Sequence, residues 1–208
     1  MNKMLETRKY TFTVEGETEK WYLLWLKKLL NECPERKNNV TIEVKVQKSP
    51  MRFVKSVNPK ATPKIVHICD IESNDDEHVK NFKEILSELK DAKTQKKIIY
   101  ELGYSNFTFE LWMILHKKNC NGVLSNRSQY LSHINQAFGE KFENLDQYKI
   151  EKNFARCLGK LTLEDVRVAI KRAKYIMEQN KNDGKRIEQY KGFKYYKDNP
   201  ALTIYQVI

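Results

Sequence analysis

Lys64-Ile65-Val66-His67-Ile68-Cys69-Asp70-Ile71-Glu72 decides the fold. Residues 64–69 are almost unbroken in apolar character, as in a strand covered on both faces inside a parallel sheet. The run then passes straight into acid. If the chain stays extended, Asp70 and Glu72 fall on the same side, because side chains repeat every second residue along a strand.

Upstream, Tyr10, Phe12 and Val14 alternate with polar residues and predict a strand over 9–14. Thr18 is placed to cap a helix over 19–31. Trp21, Tyr22, Leu24, Trp25, Leu26 and Leu29 make that helix apolar around much of its circumference, which suits packing on a sheet. Val40, Ile42, Val44 and Val46 alternate again, so a second strand is expected there. Ser49-Pro50 and Asn58-Pro59 read as breaks with a short helix between them.

Downstream, Asn74 or Asp75 caps a helix carrying Val79, Phe82, Leu86 and Leu89. A strand is expected over 97–102, a turn at Gly103-Tyr104-Ser105-Asn106, and a short helix with Phe109, Glu110, Trp112 and Met113. This alternation of strand and helix predicts an α/β fold with a mostly parallel sheet flanked by helices.

Past Asn119-Cys120-Asn121-Gly122 the character changes, and helices are expected to dominate. One is read over 126–138. A stronger one runs from Thr162 to Asn180 on the stripe Leu163, Val166, Ala169, Ile170, Ala173 and Met177, with Gly184 just beyond its end. Arg167, Lys171, Arg172 and Lys174 lie off the stripe and face either phosphate or water. Leu202, Ile204, Tyr205 and Val207 form a closing apolar segment. The organisation expected is an α/β core over 1–118 and a helical extension over 119–208 that completes or packs on it.

The 208 residues are enough for one domain with a real core. A net charge of +11 favours a polyanionic partner, nucleic acid first, through phosphate contacts; a solvated basic surface is the plainer explanation. No stretch approaches the ~20 apolar residues of a membrane span, and no signal-peptide pattern opens the sequence. Cys33, Cys69, Cys120 and Cys157 are scattered, which fits neither a zinc site nor a disulfide framework and suits a reducing cytoplasm.

Acids stand where three strands are expected to end: Glu15 with Glu19, Asp70 with Glu72, and Glu110. In an open α/β sheet, ligands bind at the carboxyl ends of strands. Carboxylates gathered there on a basic chain suit a divalent-metal phosphodiester enzyme, since hard cations take oxygen ligands. The metal ligands expected are Glu15, Asp70, Glu72 and Glu110, holding Mg²⁺ or Mn²⁺. Glu19 and His116 are placed behind them, although His116 is a turn and a half past Glu110 and off its face. Lys20 is expected to neutralise transition-state charge, and Gly16 with the helix N–H groups to hold phosphate. Lys117 and Lys118 are further substrate-binding candidates. For each acid a plainer reading stands beside this one: a dipole-favoured acid opening a helix, a polar turn with a cap, or, for Glu110, a buried pairing with Lys or Arg.

Val14-Glu15-Gly16-Glu17-Thr18-Glu19 with Trp21-Tyr22, then Asp70-Ile71-Glu72, then Ser105-Asn106 with Phe109-Glu110-Leu111-Trp112 and Leu115-His116, resemble the motifs of the RloB-like family, as does Asn199-Pro200. Glu72 stands where that family usually has aspartate, and Phe107 where it has proline after Ser-Asn. The resemblance implies a Toprim-like core, Mg²⁺-dependent nucleic-acid chemistry in bacterial anti-phage defence or abortive infection, and work beside a separate ATPase. It leads to a nuclease of RNA or DNA, with a catalytically silent nucleic-acid- or partner-binding subunit as the alternative. A Toprim-type nucleotidyl transferase would need a nucleotide site, and no Gly-rich phosphate loop beyond Gly16 is found. There is no Walker sequence, so ATP hydrolysis would fall to another chain.

Overall fold

The computed structural model describes residues 5–56 and 64–208. The Asn58-Pro59 break lies outside them. Strands β1 (Thr7–Val14), β2 (Asn39–Val46), β3 (Lys64–Ile71) and β4 (Ile99–Asn106) form a sheet in the order β2-β1-β3-β4, all parallel. A two-residue strand, β7 (Ala201–Leu202), extends it antiparallel to β4. Helix α1 (Glu17–Glu32) carries the chain from β1 out to β2. Helix α2 (Pro50–Ser56) precedes β3 on the other side of β1, and α3 (Asp76–Lys96) links β3 to β4.

The expected two-faced burial of the β3 run is what the fold uses. Val66 and Ile68 join one apolar cluster with Phe12, Val14, Tyr22, Leu26 and Trp112. Ile65, Cys69 and Ile71 join the opposite one with Phe82, Leu86, Leu89 and Tyr104. The first cluster continues through α4 (Glu110–Leu115), α5 (Tyr130–Phe138), α6 (Leu145–Tyr148), α7 (Glu151–Leu158) and α8 (Leu163–Asn182). Residues on both sides of position 118 therefore share one core.

Three local expectations are corrected. First, β4 begins two residues late and runs four further, so Gly103 to Asn106 is strand rather than turn. Gly103 to Asn106 pair with Ile68 to Ile71, and Ser105 and Asn106 also pair with β7. Gly103 is there for close approach, since a Cβ would meet Val207 Cγ2 at 2.8 Å. Second, α1 starts at Glu17 with Gly16 as its N-cap, and Thr18 lies inside the first turn. Third, the helical half contains a hairpin, β5 (Ile187–Tyr190) with β6 (Phe193–Tyr196). Its turn, Lys191-Gly192, has φ of 52° and 93°, the sign at both positions that a two-residue hairpin favours.

The long C-terminal helix is as expected. Thr162 accepts from Asp165 N–H at 3.2 Å, and the Asp165 carboxylate accepts from Thr162 N–H at 2.8 Å, closing a capping box. Thr162→Ala is expected to cost about 1 kcal/mol, which thermal unfolding would register as a drop of roughly 2–4 °C. The basic residues off its stripe divide: Arg172 donates to the Leu115 carbonyl at 2.7 Å and so ties α8 to the end of α4. Arg167 pairs with Glu164 at the surface.

Candidate active-site crevice

Between β1 and β3 the strand order reverses direction, and a crevice opens at their carboxyl ends. This is the place where doubly wound sheets bind ligands. Glu15, one residue past β1, and Asp70, near the end of β3, meet there: the Asp70 backbone N–H donates to Glu15 Oε2 at 3.0 Å. That bond crosses from one strand end to the next and fixes the Glu15 carboxylate over the switch point.

The crevice, about 200 Å³, is lined by Glu15, Gly16, Glu17, Thr18, Glu19, Lys48, Asp70, Glu72, Arg127 and Lys149. Glu19 is buried, and its carboxylate accepts from the Thr18 hydroxyl at 2.9 Å. It folds back over Gly16, where a Cβ would meet Glu19 Oε2 at 2.9 Å. The N-terminus of α1 thus holds the chain's own carboxylate. Glu72 stands at the mouth, 3.5 Å from Arg127 and 3.5 Å from His78. Glu110 is fully buried at the start of α4, held by the Thr108 hydroxyl on one oxygen. Its other oxygen lies 3.2 Å from Lys149 Nζ. The buried lysine pairing weighed as the plainer reading of Glu110 is present.

These acids burden one another. Burial pushes the Glu15 carboxyl up to about 7, against the favourable Asp70 N–H; Glu19 and Glu72 raise it further and Lys48 opposes them. Burial, then the charges of Glu19, Glu15 and Glu110, holds Asp70 well above the usual carboxylate range. Glu19 is raised chiefly by burial, with Glu110 adding to it. Lys149 eases both Asp70 and Glu19.

The donors are of the oxygen type that Mg²⁺ and Mn²⁺ take. Asp70 Oδ1 and Glu110 Oε1 are buried without a hydrogen-bond partner. Among the described residues no three acidic, histidine or cysteine side chains form a ready cage. Mg²⁺ does not require one, since it is usually held by one or two carboxylates plus substrate phosphate. The residues present therefore fit such an ion.

Other residues expected at the site lie elsewhere. Lys20 is not part of the crevice lining and is paired at 2.8 Å with Glu17, which is. His116, expected behind the metal ligands, is buried in the core. It donates from Nδ1 to the Trp112 carbonyl at 2.9 Å and meets the Tyr22 hydroxyl at 3.0 Å through Nε2. Burial lowers it to about 4, so it is a neutral core residue at pH 7. Lys117 is bound to Asp165 at 3.0 Å and Lys118 to Gln136, both away from the crevice.

The residues that sequence reasoning missed are Lys48, Arg127 and Lys149. Nothing in a chain with 38 Lys and Arg singles them out. Only the packing of the helical half on the sheet brings Arg127 and Lys149 to the strand ends. A larger cavity, about 620 Å³, lies at the amino ends of the strands, but Glu101 is the only acidic side chain among the described residues that line it.

Among the described residues, no helix is long and apolar enough to cross a membrane. No curated protein and no solved structure matches the chain. A family model described as RloB-like protein matches residues 10–208, nearly the whole chain. The chain therefore belongs to the RloB-like family.

Proposed function

We propose that this protein is a Toprim-like, divalent-metal-dependent nuclease that cleaves RNA or DNA. The observation that carries this reading is the meeting of Glu15, Glu19 and Asp70 at one switch-point crevice on a basic chain, with Glu110 buried behind it and close enough to raise Asp70. Glu15 and Asp70 would hold Mg²⁺ or Mn²⁺, with Glu110 and Glu72 as further oxygen donors. An ion bound there supplies a Lewis acid for the scissile phosphate and lowers the pKa of an attacking water. The protein's own part is to orient: the Asp70 N–H fixes Glu15, and the Thr108 hydroxyl fixes Glu110. Lys48 and Arg127 on the crevice wall offer positive charge to the flanking phosphates of a nucleic-acid strand. A role in anti-phage defence beside a separate ATPase chain, in the cytoplasm, follows from the family resemblance.

The test is incubation with labelled tRNA, single-stranded RNA and plasmid DNA under Mg²⁺, Mn²⁺ and EDTA, beside Glu15→Ala. Metal-dependent cutting that Glu15→Ala loses is the expected result, and cutting retained by that variant would end the assignment.

The Glu110–Lys149 pair and the lack of a closed ligand cage among the described residues favour a second reading, a catalytically silent nucleic-acid- or partner-binding subunit. Salt-sensitive binding of nucleic acid, with no product under any metal even when the ATPase partner is present, would establish it.

A further inference from the structure

Lys149 reaches the crevice from the end of α6, in the helical half of the chain, with Tyr148 buried beside it. The Tyr148 hydroxyl is fully buried with no hydrogen-bond partner, and the charges of Glu110 and Glu19 stand near it. Lys149 Nζ lies 3.2 Å from Glu110 Oε1, an oxygen that likewise has no hydrogen-bond partner. The contact is a charge pairing without an aligned hydrogen bond. The Glu110 side chain is fully buried, whereas that of Lys149 is 30% exposed. The lysine therefore has a path along the crevice toward solvent, and Glu110 has none.

We propose that Lys149 is the resident counter-ion of this crevice, and that it competes with the divalent cation for the carboxylates. This rests on the metal-site reading above. A lysine ammonium is a compact single charge on a flexible stem. It offsets one of the carboxylate charges of Glu15, Glu19, Asp70 and Glu110, and a dication offsets two. Loading the crevice thus releases Nζ from Glu110 and swings it to the mouth, on the side of Lys48 and Arg127, where a substrate phosphate would lie. Lys149 is a positioning residue that sets the metal concentration at which the crevice fills.

The consequence separates this role from a structural one. If Lys149 merely held the site together, removing it would loosen the carboxylates and weaken metal binding. As a competitor, its removal strengthens binding.

The experiment is a Mn²⁺ titration followed by the thermal midpoint of the full chain, for wild type, Lys149→Met and Lys149→Arg. The half-saturating Mn²⁺ concentration is expected to fall at least about 5-fold in Lys149→Met, as removing one unit charge within a few ångströms implies. Lys149→Arg should stay near wild type. Lys149→Gln, which keeps a polar tip, takes the place of Lys149→Met should that variant fail to fold by circular dichroism. An unchanged or higher half-saturating concentration in the uncharged variant, with wild type binding normally, overturns the competition alone. Failure of both wild type and the uncharged variant to bind Mn²⁺ overturns the metal site and the competition with it.

Discussion

Asp70→Asn is expected to lose metal-dependent cleavage by roughly 10²–10³-fold or more, the scale on which removing one transition-state-stabilising group acts. The same substitution is expected to raise the thermal midpoint of the metal-free protein. Asp70 is repelled by Glu19, Glu15 and Glu110, and its Oδ1 is buried without a partner. Asparagine keeps the shape and discards the charge, so a like-charge penalty disappears along with the ligand. Each kcal/mol of relief would appear as roughly 2–4 °C in a chain of this size. Such an opposition of stability and activity marks a functional site and not a packing site. A lower midpoint in Asp70→Asn would mean that the carboxylate is satisfied in the fold, and the crowding described above would be wrong.

The second large effect is a pH-dependent instability that Glu15 confers. In the folded protein burial keeps the Glu15 proton on up to about pH 7, against 4.5 for the ordinary group. A raised carboxyl contributes stability that is complete below pH 4.5 and is lost as the pH climbs to 7. The loss is at most about 3 kcal/mol, less in practice because the carboxylate is partly exposed and screened. Glu19 and Asp70 act in the same direction. His67, lowered to about 3, and His116, lowered to about 4, act oppositely as pH falls below 6.5. The clean quantity is therefore the difference between wild type and Glu15→Gln. Between pH 5 and 8 the wild type should lose stability relative to the variant, and saturating Mn²⁺ should abolish that loss by engaging the ionised form. Parallel pH profiles with and without Mn²⁺ would contradict this.

Much of the fold was legible because burial writes itself into β3 and its neighbours. Ile65 to Cys69 read as a strand covered on both faces, and the two apolar clusters confirm it. The alternation in β1 and β2 and the stripe of α8 were equally readable. The extent of β4 was not, since Gly103 carries a turn signal locally and a close-approach role only once Val207 folds over it. The hairpin at Lys191-Gly192 was missed because its four-residue strands are shorter than the periodicity needed to declare them. At the crevice, Glu15, Asp70 and Glu72 were legible because they stand at or just past strand ends in sequence, and strand ends converge in space. Lys149 is joined to Glu110 by tertiary packing alone, and no local pattern encodes that. His116 was placed behind the metal ligands, whereas the fold sets it in the core against Tyr22 and the Trp112 carbonyl, contacts that no local pattern encodes.

The most direct measurement is a calorimetric titration of Mn²⁺ into wild type and Asp70→Asn under identical buffer, with both variants confirmed folded. The expected result is saturable binding in the wild type that is at least tenfold weaker in Asp70→Asn. Equal binding by the two proteins, or no saturable binding by the wild type, would contradict a metal site at the β1–β3 switch point.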